Sequence, residues 1–391
     1  MNTTQTIPLA SITSWSSGGT PSRSNDTYWN GAIPWISAAT LKGSRIHDSD
    51  QYLTEAGLRA GSNLAPKDAI LVLVRGMALH RETRIGLATR PVSFNQDVKA
   101  LVPKAGILPE FLLYALQARS NLIRELVSSA GSGTGVLNTQ LLQRLPIWVP
   151  NEQAQHAVVE TMSSVDHAIT TLEHLSAKKQ AVKQGMMQQL LTGRTRLPGF
   201  DTAWNEAKLG SIATVIMGQS PAGFTYNSDG RGLPLIQGNA DIRDRVTFDR
   251  IWTTEPTKTC EEGDVLLTVR APVGYTAIAS KRSCLGRGVC AISTRRDNRF
   301  MFHALVYAEP AWALYEQGST FTAVNSNEVR SFAIRWPTDA NERAAIAAAL
   351  DDVDSVLRTL QARLTKARAI KFGMLQQLLT GRTRLPEETV S

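Results

Sequence analysis

Apolar residues recur at intervals of four and three along two stretches of the chain. Val158, Met162, Val165, Ile169 and Leu172 form one series, and Ile346, Leu350, Val353, Leu357 and Leu360 form the other. Leu364 and Ala367 extend the second series. Val182, Met186 and Leu190 then continue the first, as Ile370, Met374 and Leu378 continue the second. This spacing predicts one apolar stripe on each of two helices. No proline interrupts residues 152–192 or 340–380, so each stretch predicts a single helix of about 40 residues, roughly 60 Å long. Gly193 and Gly381 stand where stop signals belong, with Pro198 and Pro386 beyond. Gly185 and Gly373 fall inside the helices, where glycine costs about 1 kcal/mol. A close approach of the two helices is the expected reason.

The two stretches are copies. Residues 185–198 read GMMQQLLTGRTRLP and residues 373–386 read GMLQQLLTGRTRLP, at an offset of 188 residues. A period this long excludes a solenoid and indicates duplication of a domain-sized unit. The apolar stripes obey the same offset, although Ser176 and Lys179 stand opposite Leu364 and Ala367. The stripes are expected to bury each other as a coiled coil. Each helix follows a globular unit, so the helices should run antiparallel, with the units related by an approximate two-fold axis. The expected boundaries are 1–150 for the first unit, 151–193 for the first helix, 194–337 for a linker and the second unit, and 338–391 for the second helix and tail.

Within the units, AILVLV (69–74) and VLLTV (265–269) are short branched runs that predict buried strands, and each leads into an arginine, Arg75 or Arg270. IPWI (33–36) and LPLI (233–236) predict further strands, and residues 110–127 and 300–317 predict short helices. The units therefore read as α+β domains with curved, largely antiparallel sheets. Polar loops separate these elements. In the first unit they carry Thr20, Ser22, Arg23, Arg75, Arg81, Arg84, Asn95 and Gln96. In the second they carry Gln219, Ser220, Gln237, Asn239, Arg243, Arg270 and Arg287. Arginine, asparagine and glutamine pair with base edges, whereas arginine, serine, threonine and backbone amides hold phosphates. Any one of these residues could be a plain turn residue; the set as a whole points to binding. A formal net charge of +8 suits a polyanionic partner.

Catalytic chemistry is not legible. The chain has no GxxxxGK[ST], no paired prolines, no HExxH and no GxSxG. Gly131-Ser132-Gly133-Thr134-Gly135 follows a predicted helix instead of a strand, which argues against a dinucleotide loop. Asp201, Glu206 and Lys208 resemble a nuclease set but fall in a linker. The six histidines show no HxxxH spacing, and Cys260, Cys284 and Cys290 form no CxxC. No metal or cofactor is expected. Nor is a signal peptide or a membrane span, and a reducing, cytoplasmic setting fits.

The chain resembles the specificity subunits of type I restriction–modification enzymes over nearly its whole length. The resemblance rests on the duplicated GM[ML]QQLLTGRTRLP, on Val165-Asp166 with Val353-Asp354, and on GGTPSRS, TYWNGAIPWI, FNQDVKAL, GLPLIQGNADI, DVLLTVRAPVG and GRGVCAI. It implies two target recognition domains, each reading half of a bipartite double-stranded DNA target. It also implies that the coiled coil sets the gap between the halves. Two modification subunits that methylate adenine would dock on the helices, restriction subunits would join them, and this chain would itself be non-catalytic. The two units carry different loops, so the target should be asymmetric. A two-domain scaffold that binds proteins is the alternative.

Overall fold

The computed structural model describes residues 6–131, 133–317 and 323–380. It divides into two compact units that interleave along the sequence. One comprises Met1–Glu173 with Ala362–Ser391, and the other His174–Gln361. Each unit thus takes the first part of one long helix and the last part of the other.

In the first unit, Ile70–Leu73 lies inside a five-stranded sheet, between Val98–Pro103 and Ile85–Ala88. All four of its residues are buried, as a continuous apolar run requires. Thr13–Ser17 and Arg45–Ile46 form the edges. A second sheet of four strands orders Tyr52–Leu53, Trp29–Ile36, Val92–Phe94 and Asn63–Ala65. Pairing is largely antiparallel. The parallel exceptions are Trp35 beside Ser93 and Arg45 beside Leu87. The predicted helix over 110–127 is two helices, Pro109–Ala118 and Ser120–Glu125, followed by a strand, Val127–Ser129.

The second unit repeats this plan. Val265–Thr268 lies between Val289–Ser293 and Thr276–Ile278 in a six-stranded sheet, and Leu233–Ile236 runs parallel to Ser283–Leu285 in a five-stranded one. Asn298–Gln317 is the helix predicted over 300–317. FLLYAL (111–116) and FMFHAL (300–305) occupy matching places on the two packing helices. Burial pushes the Cys260 and Cys290 thiols up to about 12, which leaves them protonated and inert.

The long helices are Glu152–Leu190 and Ala340–Leu378, 39 residues each. Gly193, at φ +73°, ends the first in a left-handed turn, and Thr195 N donates to Gln189 O. Gly381 and Pro386 lie outside the described residues. In the first unit Lys371 pairs with Asp166 at 2.6 Å and Arg368 with Glu173 at 2.7 Å, so the helices run antiparallel there. In the second, Lys183 pairs with Asp354 at 2.6 Å and Arg196 with Glu342 at 2.6 Å, again antiparallel. Val158, Met162, Ile169, Ile346 and Leu350 are buried, and Val165, Leu172, Val353, Leu357 and Leu360 are half-buried. Val158 and Met162 join the core of the first unit, and Ile346 and Leu350 that of the second.

Two expectations for the helices need correction. Val182 and Ile370 are off the stripe, at 43% and 47% exposure. A helix of 3.6 residues per turn drifts against a 3.5 repeat, and the inward position is taken by Lys183 and Lys371. Gly185 and Gly373 also mark no close helix contact, because a Cβ at either would meet nothing within 4 Å. No helix among the described residues is long and apolar enough to cross a membrane.

Candidate nucleic-acid interface

In each unit the turn after the first sheet strand packs backbone to backbone against a loop far along the chain. A Cβ at Gly18 would lie 2.0 Å from Phe94 O, and one at Gly218 would lie 2.1 Å from Gly286 O. Only glycine permits such an approach. Gly19 N donates to Phe94 O at 2.9 Å, and Gly218 N donates to Val289 O at 3.0 Å.

These contacts gather the polar residues. In the first unit Thr20 Oγ1 donates to Gln96 Oε1 at 2.7 Å. Val74 N and Arg75 N both donate to Asp97 O, which brings exposed Arg75 beside the same loop. Ser22 and Arg23 follow in the exposed turn. In the second unit Gln219 N donates to Leu285 O at 2.9 Å, and Arg287 N to Ser220 Oγ at 3.2 Å. Gly286 N donates to Ile236 O, next to Gln237, and Val269 N donates to Gly288 O, next to exposed Arg270. Asp241, fully buried, accepts from Gln237 N and Gly238 N and pairs with Arg250 at 2.7 Å. It thereby holds the turn that exposes Asn239. Gln219, Ser220, Gln237, Arg270 and Arg287 thus share one rim. Arg243 is exposed nearby in sequence, stacked over Phe248.

Two predicted contacts are structural. Asn95 is 6% exposed, and its side chain accepts from Asp97 N and donates to Asp97 Oδ2, closing a turn on itself. Arg84 spends its guanidinium on Glu82 and on Ala38 O. Arg81 is exposed just past the turn Met77–His80. The sequence reading also missed three aromatic residues. Arg23 lies over the indoles of Trp29 and Trp35, and Phe224 is 85% exposed on the short turn Gly223–Thr225. Phe224 could have been noticed as an aromatic residue inside a polar loop, whereas Trp29 and Trp35 belong to the strand Trp29–Ile36 and carried no such signal.

A polar cluster joins each packing helix to the long helices. In the first unit Tyr114 Oη donates to Asp166 Oδ2 at 2.9 Å, and Ser163 lies beside it. Burial, reinforced by the Asp166 carboxylate, pushes the phenol up to about 12. In the second unit His303 meets Asp351 at 2.8 Å, with Asp354 close by. Ser163 and Asp351 share the 188-residue offset, as do Asp166 and Asp354, and Lys183 and Lys371. Arg299 and Lys183 answer the charges of Asp351 and Asp354.

The duplication and its loops match a family described as Type I restriction modification DNA specificity domain, over residues 1–184 and 202–367. The chain belongs to this family. It is 29% identical over 298 residues to a putative type I restriction enzyme MjaX specificity subunit of Methanocaldococcus jannaschii, covering 72% of this chain and 70% of that one. It is 31% identical over 160 residues to the EcoR124I/EcoR124II specificity subunit of Escherichia coli, covering 40% of each chain. In fold it is similar to a type I restriction–modification S subunit from M. genitalium, with a TM-score of 0.66, 15% identity, and 98% and 96% of the chains covered. A chain from a type I system studied for complex assembly and conformational transition gives a TM-score of 0.62 at 23% identity, covering 97% and 98%. This specificity-subunit family accounts for the two copies of one domain in a single chain.

Proposed function

We propose that this specificity subunit directs a type I restriction–modification complex to an asymmetric bipartite DNA sequence. Residues 1–150 and 194–337 serve as the two target recognition domains, and the long helices set the gap between the half-sites. What carries this reading is the rim in each unit, where loops distant in sequence converge to present exposed arginine, glutamine and hydroxyl side chains. The two rims differ in composition: Thr20, Ser22, Arg23, Arg75 and Gln96 against Gln219, Ser220, Gln237, Asn239, Arg270 and Arg287. Unlike rims read unlike half-sites. Half-sites about one helical turn apart, about 34 Å, face the same side of a duplex.

The chain brings no catalytic group to this task. Two modification subunits docked on the helices supply adenine methylation, restriction subunits supply ATP-driven cleavage, and the assembly works in the cytoplasm. Methylome sequencing of cells expressing this chain with a modification subunit tests the reading. A bipartite methyladenine motif that disappears without the chain is the expected result. A stable, active complex with no chain-dependent motif would instead favour a protein scaffold.

A further inference from the structure

Resting on that reading, we propose that Arg23 reads a guanine in the half-site recognised by the first unit, from a guanidinium positioned by Trp29 and Trp35. The guanidinium carbon lies 4.3 Å from the Trp29 ring centroid and 4.9 Å from that of Trp35. The two indoles meet edge to face, with centroids 5.2 Å apart at 85°. Both are tethered to the loop that carries the arginine. Trp29 Nε1 donates to Ser22 O at 3.0 Å, and Trp35 Nε1 donates to Gly19 O at 3.1 Å. Trp35 is 2% exposed and pairs in the sheet with Ser93, just before the Phe94–Asp97 loop. Trp35 therefore belongs to the core and Trp29 is half-buried, while Arg23 itself is exposed.

The donors of this guanidinium are unspent. Arg196, Arg245, Arg299 and Arg343 also lie over aromatic rings, but each is bound to a carboxylate, of Glu342, Glu309, Asp351 and Asp297 respectively, whereas Arg243, over the single ring of Phe248, has no carboxylate partner among the described residues. Arg23 makes no hydrogen bond or ion pair within the described residues. A planar fork of N–H donors whose position is already fixed loses little freedom on docking. That fork matches guanine O6 and N7 across the major groove, a bidentate contact that rejects the other base pairs. Lysine carries the same charge but has no fork. A phosphate would accept the fork too, but a phosphate contact carries no sequence information, and this difference decides the test.

The full chain, in the complex in which it purifies, is offered a randomised duplex pool, and the bound sequences are read for wild type, Arg23→Ala, Arg23→Lys and Trp29→Leu. Arg23 is exposed, so its variants should fold. The wild type is expected to select a bipartite motif in which one half contains a fixed G·C pair. Both Arg23 variants should lose about 10- to 100-fold of discrimination at that pair alone, with every other position retained. Arg23→Lys should also keep the wild-type salt dependence. Trp29→Leu should weaken discrimination at the same pair by less. An unchanged motif in Arg23→Ala overturns the proposal. So does an even loss over all sequences that lysine restores, the mark of a phosphate contact. A wild-type motif with no G·C pair in the affected half overturns it as well. If the wild type selects no motif, the functional reading itself fails and this proposal falls with it.

Discussion

Asp351 shows how one carboxylate stabilises the second unit. Burial by itself would raise its pKa, but hydrogen bonds from His303 and Arg299 and the Arg299 charge outweigh that and hold the carboxyl well below the usual carboxylate range. A lowered pKa in the folded state means that the unfolded chain binds the proton more tightly. The stabilisation is complete above roughly pH 4 and is lost as pH falls further. Asp351→Asn should therefore cost about 1–2 kcal/mol at pH 7, discounted for a side chain that is 30% exposed. Urea unfolding at pH 7 and pH 3 checks this, and the gap between variant and wild type should narrow at the lower pH. At the corresponding place in the first unit stand Tyr114 and Ser163, which carry no charge near neutrality, so acid should spare that junction more. Asn95 and Arg84 mark the limit of reading single residues from sequence. Both types bind bases in other settings, and here their partners, Asp97, Glu82 and Ala38, are supplied by the fold.

Among the elements, strand centres were legible where both faces are buried. Ile70–Leu73 is a continuous apolar run and Val265–Thr268 is apolar except for buried Thr268, because sheet and helix cover them. The parallel pairs were not legible, since Trp35 beside Ser93 depends on chain paths and not on composition. The helix stripe was legible except at Val182 and Ile370, where the inward Lys183 and Lys371 interrupt the apolar pattern before Leu190 and Leu378 resume it. Each of those lysines depends on its aspartate. Lys183→Met alone strands Asp354, which is 16% exposed, and should cost about 2–3 kcal/mol. Adding Asp354→Leu should recover most of that loss in the same denaturant titration. The helical glycines point the opposite way. With open space around their Cβ positions, Gly185→Ala and Gly373→Ala should each raise stability by about 0.5–1 kcal/mol, read as a higher urea midpoint.

For the molecule as a whole, the helices acting as a ruler makes a prediction that separates spacing from recognition. Inserting one helical turn within residues 160–185 should change the gap in the methylated motif and leave both half-sites intact. The same half-sites at the same gap would refute the ruler, as would altered half-sites.

The interleaving of the units bears on how the protein is made. Leu375, Leu378 and Leu379 belong to the core of the first unit, and Gln376 Nε2 donates to Ala118 O at 2.7 Å. The second unit lies wholly within residues synthesised before these. The first unit is therefore completed after the second, because its core stays open until Leu375, Leu378 and Leu379 have been synthesised. A stop codon after Gln361 should leave the amino-terminal unit, not its neighbour, as the first part cut by limited proteolysis.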